Sequence, residues 1–226
     1  MTFTNREDAG QRLVEQLIAY RDQPATIILA LPRGGVVVGY QLSVGLHLPL
    51  DVFISRKLGA PGNPEYALGA VSETGTIYFN PDARMDVRTR ANVDHLVQLE
   101  QQEIVRRQAL YRQGRPLPAL TDHIVILVDD GIATGSTFFV SAEAIRQLRP
   151  KRLIGALPVG PSQTIRLART LMDEVVVLAT PEPFWAVGNH YGEFTQVNDA
   201  DVVTYLVKAE EALREKCPPG GCVGLS

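Results

Sequence analysis

Apolar residues along this chain fall in short unbroken runs, and the stretches between them carry helical spacing. The runs are TIILAL (26–31), LDVFIS (50–55), HIVILVDD (123–130), RLIGALPVG (152–160) and EVVVLAT (174–180). Each is rich in Val, Ile or Leu without alternation of apolar and polar positions. A strand reads that way when both faces of its sheet are covered. Residues 6–20 place Ala9, Leu13, Val14, Leu17 and Ile18 on one helical face, and Asp22 to Pro24 end that helix. Further helices are predicted over 36–47, 88–113, 137–149, 162–172 and 199–216. In the longest, Val93, Leu96, Val97, Glu100, Ile104 and Gln108 mark the spacing, and its mixed charges predict a solvated face. Arg56 to Pro64 read as a polar turn, and ALGAVSE and TIYFN, joined around Thr74-Gly75, as a hairpin.

Strands alternating with helices predict an α/β fold. The expected form is an open, mainly parallel twisted sheet with helices on both faces and a small hairpin or hood region. One domain is expected over residues 1–216, with a flexible tail over 217–226. Cys217 and Cys222 lie in that tail as C-x4-C, which defines neither a disulfide framework nor a zinc site.

Composition narrows the function classes. Hydrophobic residues make up 45% and charged residues 21%, enough apolar material for a core. The formal net charge of −3 argues against a nucleic-acid partner. No apolar run approaches the ~18 residues of a membrane span, so no membrane partner is expected. MTFTNREDAGQR lacks a basic-then-apolar signal pattern, so the expected location is cytoplasmic.

Open α/β sheets bind ligands beyond the carboxyl ends of their strands, so the residues just after each run carry the candidate chemistry. The central run is followed by Asp129-Asp130-Gly131-Ile132-Ala133-Thr134-Gly135-Ser136-Thr137. Its glycines allow unusual backbone angles, its amides at a helix N-terminus suit a phosphate, and its hydroxyls add donors. The two carboxylates suit sugar hydroxyls or a hydrated Mg2+. The loop is not a Walker A loop, because the spacing differs and no Lys precedes Ser136-Thr137. Pro32-Arg33-Gly34-Gly35 follows the first run and combines close backbone approach with a charge. Arg56 and Lys57 follow the second run, and the aromatic segment 181–194 the last. A receiver-like signalling domain fits poorly, because the acid pair is adjacent and late in the chain.

VILVDDGIATGST resembles the phosphoribosyl-diphosphate (PRPP) binding motif of type I phosphoribosyltransferases, and the likeness covers roughly residues 10–205. That resemblance implies a set of roles. Asp129 and Asp130 would be the catalytic pair, holding the ribose and Mg2+. Gly131, Ile132, Ala133, Thr134, Gly135, Ser136 and Thr137 would hold the 5-phosphate. Arg33, Gly34, Gly35, Arg56 and Lys57 would meet the pyrophosphate. GAPGNPEYALG resembles a cover over the site, with Glu65 and Glu73 as nearby acids. Trp185, Val187 and Tyr191 would form the base site, Trp185 stacking on the heterocycle, and His190 is an acid or base candidate by type. Two features depart from hypoxanthine-type members: Ala133 replaces an acid, and the aromatic pair His190-Tyr191 comes two residues early. The implied reaction transfers phosphoribose from PRPP to a small-molecule nitrogen acceptor, a nucleobase, with loss of pyrophosphate. The alternative is a PRPP-binding regulator without catalysis. A homodimer is open under either.

Overall fold

The computed structural model describes residues 3–60, 63–80, 83 and 87–216. In chain order its elements are α1 (Arg6–Gln16), β1 (Thr26–Ala30), α2 (Gly35–Leu46), β2 (Leu50–Val52), β3 (Ser55–Ala60), β4 (Asn63–Ser72) and β5 (Ile77–Phe79). They continue with α3 (Val87–Arg112), β6 (Ile124–Val128), α4 (Ser136–Gln147), β7 (Arg152–Val159), α5 (Ser162–Leu171), β8 (Glu174–Ala179) and α6 (Asp199–Lys216). The apolar runs become one parallel five-stranded sheet, ordered β2-β1-β6-β7-β8.

Side chains alternate across the strands and fill two cores. Ile28, Ala30, Ile126, Val128, Ile154 and Ala156 pack with Leu13 and Leu17, with Val38 and Leu42 of α2, and with Val202 of α6. Leu29, Val125, Leu127, Leu153 and Leu157 pack with Phe138, Phe139 and Ile145 of α4 and with Ile165 and Ala168 of α5. Both faces are thus covered, which is why these strands are apolar throughout.

Three expectations need correction. LDVFIS is not one strand: Leu50–Val52 pair with β1 at the sheet edge, and Ser55 opens β3 in a second sheet. The described residues of Arg56 to Pro64 are strand rather than turn. Arg56 and Lys57 lie on β3, which pairs antiparallel with β4, and β4 pairs with β5. Along β3 only Ser55 and Leu58 are buried, so polar residues fit on its open side. The first helix stops at Gln16 and a short 3-10 turn follows, leaving Ile18 exposed.

The predicted hairpin of ALGAVSE and TIYFN is the β4–β5 pair. The charged face of α3 is partly a docking face. Glu100 accepts from Arg56 Nε at 2.6 Å, and Arg106 donates to Asp199 at 2.6 Å. Among the described residues, no helix is long and apolar enough to cross a membrane. Cys217 and Cys222 lie outside the described residues.

Candidate functional site

The site is built where the sheet's winding reverses. β1 and β6 are adjacent and paired from Thr26↔Ile124 to Ala30↔Val128, while the chain proceeds outward to β2 on one side and to β7 on the other. Their C-terminal loops therefore emerge side by side over a crevice, the usual ligand position in such sheets.

The loop after β1 is pressed onto the loop after β6. A Cβ on Gly34 would lie 1.9 Å from Asp130 Oδ2, and one on Gly35 would lie 2.9 Å from Asp129 Cα. Gly34 has φ −62, an ordinary helical value. These glycines are needed for closeness to the acid pair, not for backbone freedom.

The acid pair is held from several sides. Asp130 N donates to Asp129 Oδ1 at 2.8 Å, and Arg6 Nε donates to Asp130 Oδ2 at 2.7 Å. Tyr191 donates its hydroxyl to the Asp130 carbonyl at 2.5 Å. Burial pushes the Asp129 carboxyl well above the usual carboxylate range, and the neighbouring Asp130 charge pushes it further. Burial also raises Asp130, and Arg6 offsets part of that rise. Two carboxylates therefore share one arginine. This is an electron-rich pocket suited to hydroxyl donors or a cation.

The loop after β6 turns on Gly131 (φ 150) and Gly135 (φ 78), angles that favour glycine. Gly135 is the N-cap of α4 and no side chain caps it, so the first turn keeps donors for an anion. Ile132 differs from its neighbours: its amide donates to Val159 O at 2.9 Å and its side chain is core. It anchors the loop; Ala133 and Thr134 are exposed, while Gly135 and Ser136 are buried where α4 begins. A cavity of about 100 Å³ is lined by Lys57, Asp129, Gly131, Ile132 and the loop through Thr137.

The other predicted residues divide. Lys57 reaches this cavity from β3. Arg56 instead pairs with Glu100, and Arg33 lies 3.9 Å from Asp199. Trp185 is 79% exposed, so it is not a core residue, and Val187 packs over Gly131. Tyr191 is buried between Phe3 and Phe194, with ring centroids 5.4 and 5.1 Å away. Its hydroxyl holds the Asp130 carbonyl, while its ring is packed between those two rings. Burial raises its phenol, which keeps it a donor. His190 stacks on Phe184 at 5.0 Å, and its Nε2 is buried without a hydrogen-bond partner. Glu73 lies away from the crevice, accepting from both Arg112 terminal nitrogens, Gln108 and the Ile54 amide. The Glu65 side chain lies outside the described residues.

Arg6 is the residue that sequence reasoning missed. Asn5-Arg6-Glu7-Asp8 reads only as a helix start, and Asn5 does cap Asp8 N at 2.9 Å. Nothing in that stretch signals a partner 124 positions away.

The phosphoribosyl transferase domain profile matches residues 3–188 of this chain. The chain belongs to the type I phosphoribosyltransferase family. It is 39% identical over 214 residues to "Putative phosphoribosyl transferase Rv0571c" of Mycobacterium tuberculosis strain H37Rv, covering 94% of this chain and 48% of that one. The same holds for the MT0597 protein of strain CDC 1551. The chain thus spans about half the length of these curated relatives. The crystal structure of TT1426 from Thermus thermophilus superposes with a TM-score of 0.75 at 37% identity, over 92% of this chain and 99% of that one. These matches fit the open α/β fold described above, and the acid pair and the 131–137 loop lie within the matched region.

Proposed function

We propose that this chain binds PRPP in the crevice between β1 and β6 and transfers its phosphoribosyl group to a nitrogen acceptor of the nucleobase type, releasing pyrophosphate. The observation that carries the reading is the meeting of three features at one switch point: Asp129 of the acid pair, a hydroxyl-rich loop opening a helix, and Lys57 all line one cavity.

In this reading, Ala133 to Thr137 hold the 5-phosphate through amides and hydroxyls. Asp129 and Asp130 accept the ribose hydroxyls, fixing the sugar while C1 gains positive charge, and their negative field favours that charge. Lys57 adds a point charge to the phosphate-lined wall. Arg33 and Arg56 are the cations for the leaving pyrophosphate, after exchanging Asp199 and Glu100 for the anion. Trp185 offers an exposed flat face for a heterocycle.

Among the described residues no three His, Cys, Asp or Glu side chains form a metal cage. Two hard carboxylates fit Mg2+ nonetheless, since this ion usually takes one or two carboxylates and fills its remaining positions with water and substrate phosphates. Asp129 and Asp130 would hold it, and when bound it would neutralise charge on the departing pyrophosphate.

The test is pyrophosphate release from PRPP in Mg2+ buffer with a panel of purines, pyrimidines and simple amines, the wild type beside Asp129→Asn/Asp130→Asn. Release with one acceptor class, lost in the double variant, is the expected result. A folded wild type that binds PRPP yet releases nothing with any acceptor would contradict transfer and favour a PRPP-sensing regulator.

A further inference from the structure

We infer that Arg6 is the positioning residue of the acid pair, and that it sets the affinity for the sugar end of PRPP without touching the substrate. The inference rests on the reading of the crevice as a PRPP site.

Arg6 belongs to the first turn of α1, far from every motif of the crevice, yet its side chain is 9% exposed. Three contacts fix the guanidinium. Nε donates to Asp130 Oδ2 at 2.7 Å, and one terminal nitrogen donates to Thr195 O at 2.8 Å. The Phe194 ring lies beneath it, 3.7 Å from centroid to the guanidinium carbon. A planar fork gripped at two nitrogens and stacked on a ring has little freedom left. The carboxylate it holds is fixed in turn.

The segment carrying Arg6 is itself latched to the loop that carries Thr195. Phe3 N donates to His190 O at 2.8 Å, Gly192 N to Phe3 O at 2.7 Å, and Glu193 N to Thr4 O at 2.8 Å. Phe3 and Tyr191 form a parallel bridge, and the Tyr191 hydroxyl holds the Asp130 carbonyl. Segments from opposite ends of the chain are therefore joined at the acid pair. A Cβ on Gly34 would lie 3.0 Å from Arg6 Nε as well as 1.9 Å from Asp130 Oδ2, so the Arg6–Asp130 pair also forms the floor of the loop after β1.

This arrangement assigns a specific task. Two adjacent carboxylates in a largely buried crevice repel one another, and a freely turning Asp130 would swing towards solvent. Arg6 takes Oδ2 and holds the carboxylate in place, which keeps the pair aimed at one point. Its effect should reach ligands that contact the carboxylates and spare those that contact only the 131–137 loop.

The experiment compares wild type, Arg6→Ala and Arg6→Lys by calorimetric titration with two probes in Mg2+ buffer: PRPP, and inorganic phosphate, which has no ribose. Arg6→Ala should weaken PRPP about tenfold or more, the scale of a lost charged hydrogen bond, and leave phosphate affinity unchanged. Arg6→Lys should fall between, because an ammonium keeps the charge but loses the two-pronged grip. Guanidinium ion added to Arg6→Ala should restore part of the PRPP affinity. Equal losses for both probes would reduce Arg6 to a general structural residue. Unchanged or tighter PRPP binding by Arg6→Ala would overturn the inference outright. Where Arg6→Ala fails to fold, Arg6→Lys decides by the same two-probe ratio. A folded wild type that ignores PRPP refutes the PRPP reading, and this inference falls with it. Wild-type binding with insensitive Arg6 variants refutes the inference alone.

Discussion

Two arginine–carboxylate clusters join distant parts of this chain, and they are balanced differently. Arg112, at the end of α3, faces Glu73 at 2.5 Å and Asp51 at 3.2 Å. Glu73 also accepts from Ile54 N and Gln108 Nε2, and Arg112 donates to Val52 O. Nearly every polar atom there has a partner, and the cluster ties α3 to β2 and to the residue following β4. Arg6 faces Asp130 at 2.7 Å, and Asp129 beside it draws on that same arginine. The first cluster is saturated and serves the scaffold. Each cluster sets one guanidinium against two carboxylates, but in the second Arg6 bonds only Asp130 of the two, and among the described residues Asp129 receives only the Asp130 amide, which leaves it ready for hydroxyl donors and a cation. Functional sites often retain such undercompensated groups at the expense of stability.

The largest effect should come from breaking the saturated cluster. Arg112→Met leaves Glu73 and Asp51 without their cation, and should lower stability by about 3–5 kcal/mol in thermal unfolding. PRPP affinity measured below the transition should be retained. A lost affinity with unchanged stability would reverse the roles given to the two clusters.

Gly34→Ala comes next. Its Cβ would meet Asp130 Oδ2 at 1.9 Å, so either the loop or the acid must move. Stability should fall by about 3 kcal/mol, at the upper end for overpacking, and PRPP binding should be lost. A wild-type affinity in this variant would show that the close approach of the two loops is dispensable.

Asp129→Asn sharpens the contrast by a stability gain. Removing the undercompensated charge should raise stability by about 1 kcal/mol at neutral pH while PRPP binding falls. The sign of the pH effect follows from the raised Asp129 carboxyl. The folded protein binds this proton more tightly than the unfolded chain, so the contribution of Asp129 to stability falls as pH rises. Towards acid it is regained, from the raised value down to the ordinary 3.8. In ligand-free protein, Tm plotted against pH should therefore differ between wild type and Asp129→Asn across that window. Below it, groups such as Glu103, held at about 2 by hydrogen bonds from Arg106 and Arg107, take over the acid limb. Superimposable profiles would remove the claim that Asp129 is undercompensated.

Trp185→Ala should have the smallest effect on stability, within about 0.5 kcal/mol, because the indole is 79% exposed. Acceptor affinity should fall by about 1–3 kcal/mol if the ring stacks on a base. An unchanged acceptor KM would move the base site elsewhere.

Legibility in the sequence followed the range of the interactions. The buried strands were readable because two-sided burial demands unbroken apolar runs, and α6 was placed at 199–216 where the structure has it. The acid pair and its loop were readable because strand, carboxylates, glycines and helix start are contiguous. The second sheet was less readable, since β3 is open on one side and its Arg56 and Lys57 look like turn residues. Arg6 and Glu73 were beyond reach as well. Their roles arise only when segments 124 and 39 residues apart are brought together.

The central claim is that the acid pair and the loop after it form a PRPP site. The most direct measurement is calorimetric titration of PRPP in Mg2+ buffer into wild type and Asp129→Asn/Asp130→Asn. The account predicts saturable binding by the wild type and its loss in the folded double variant. Equal binding by both, or none by a folded wild type, would contradict it.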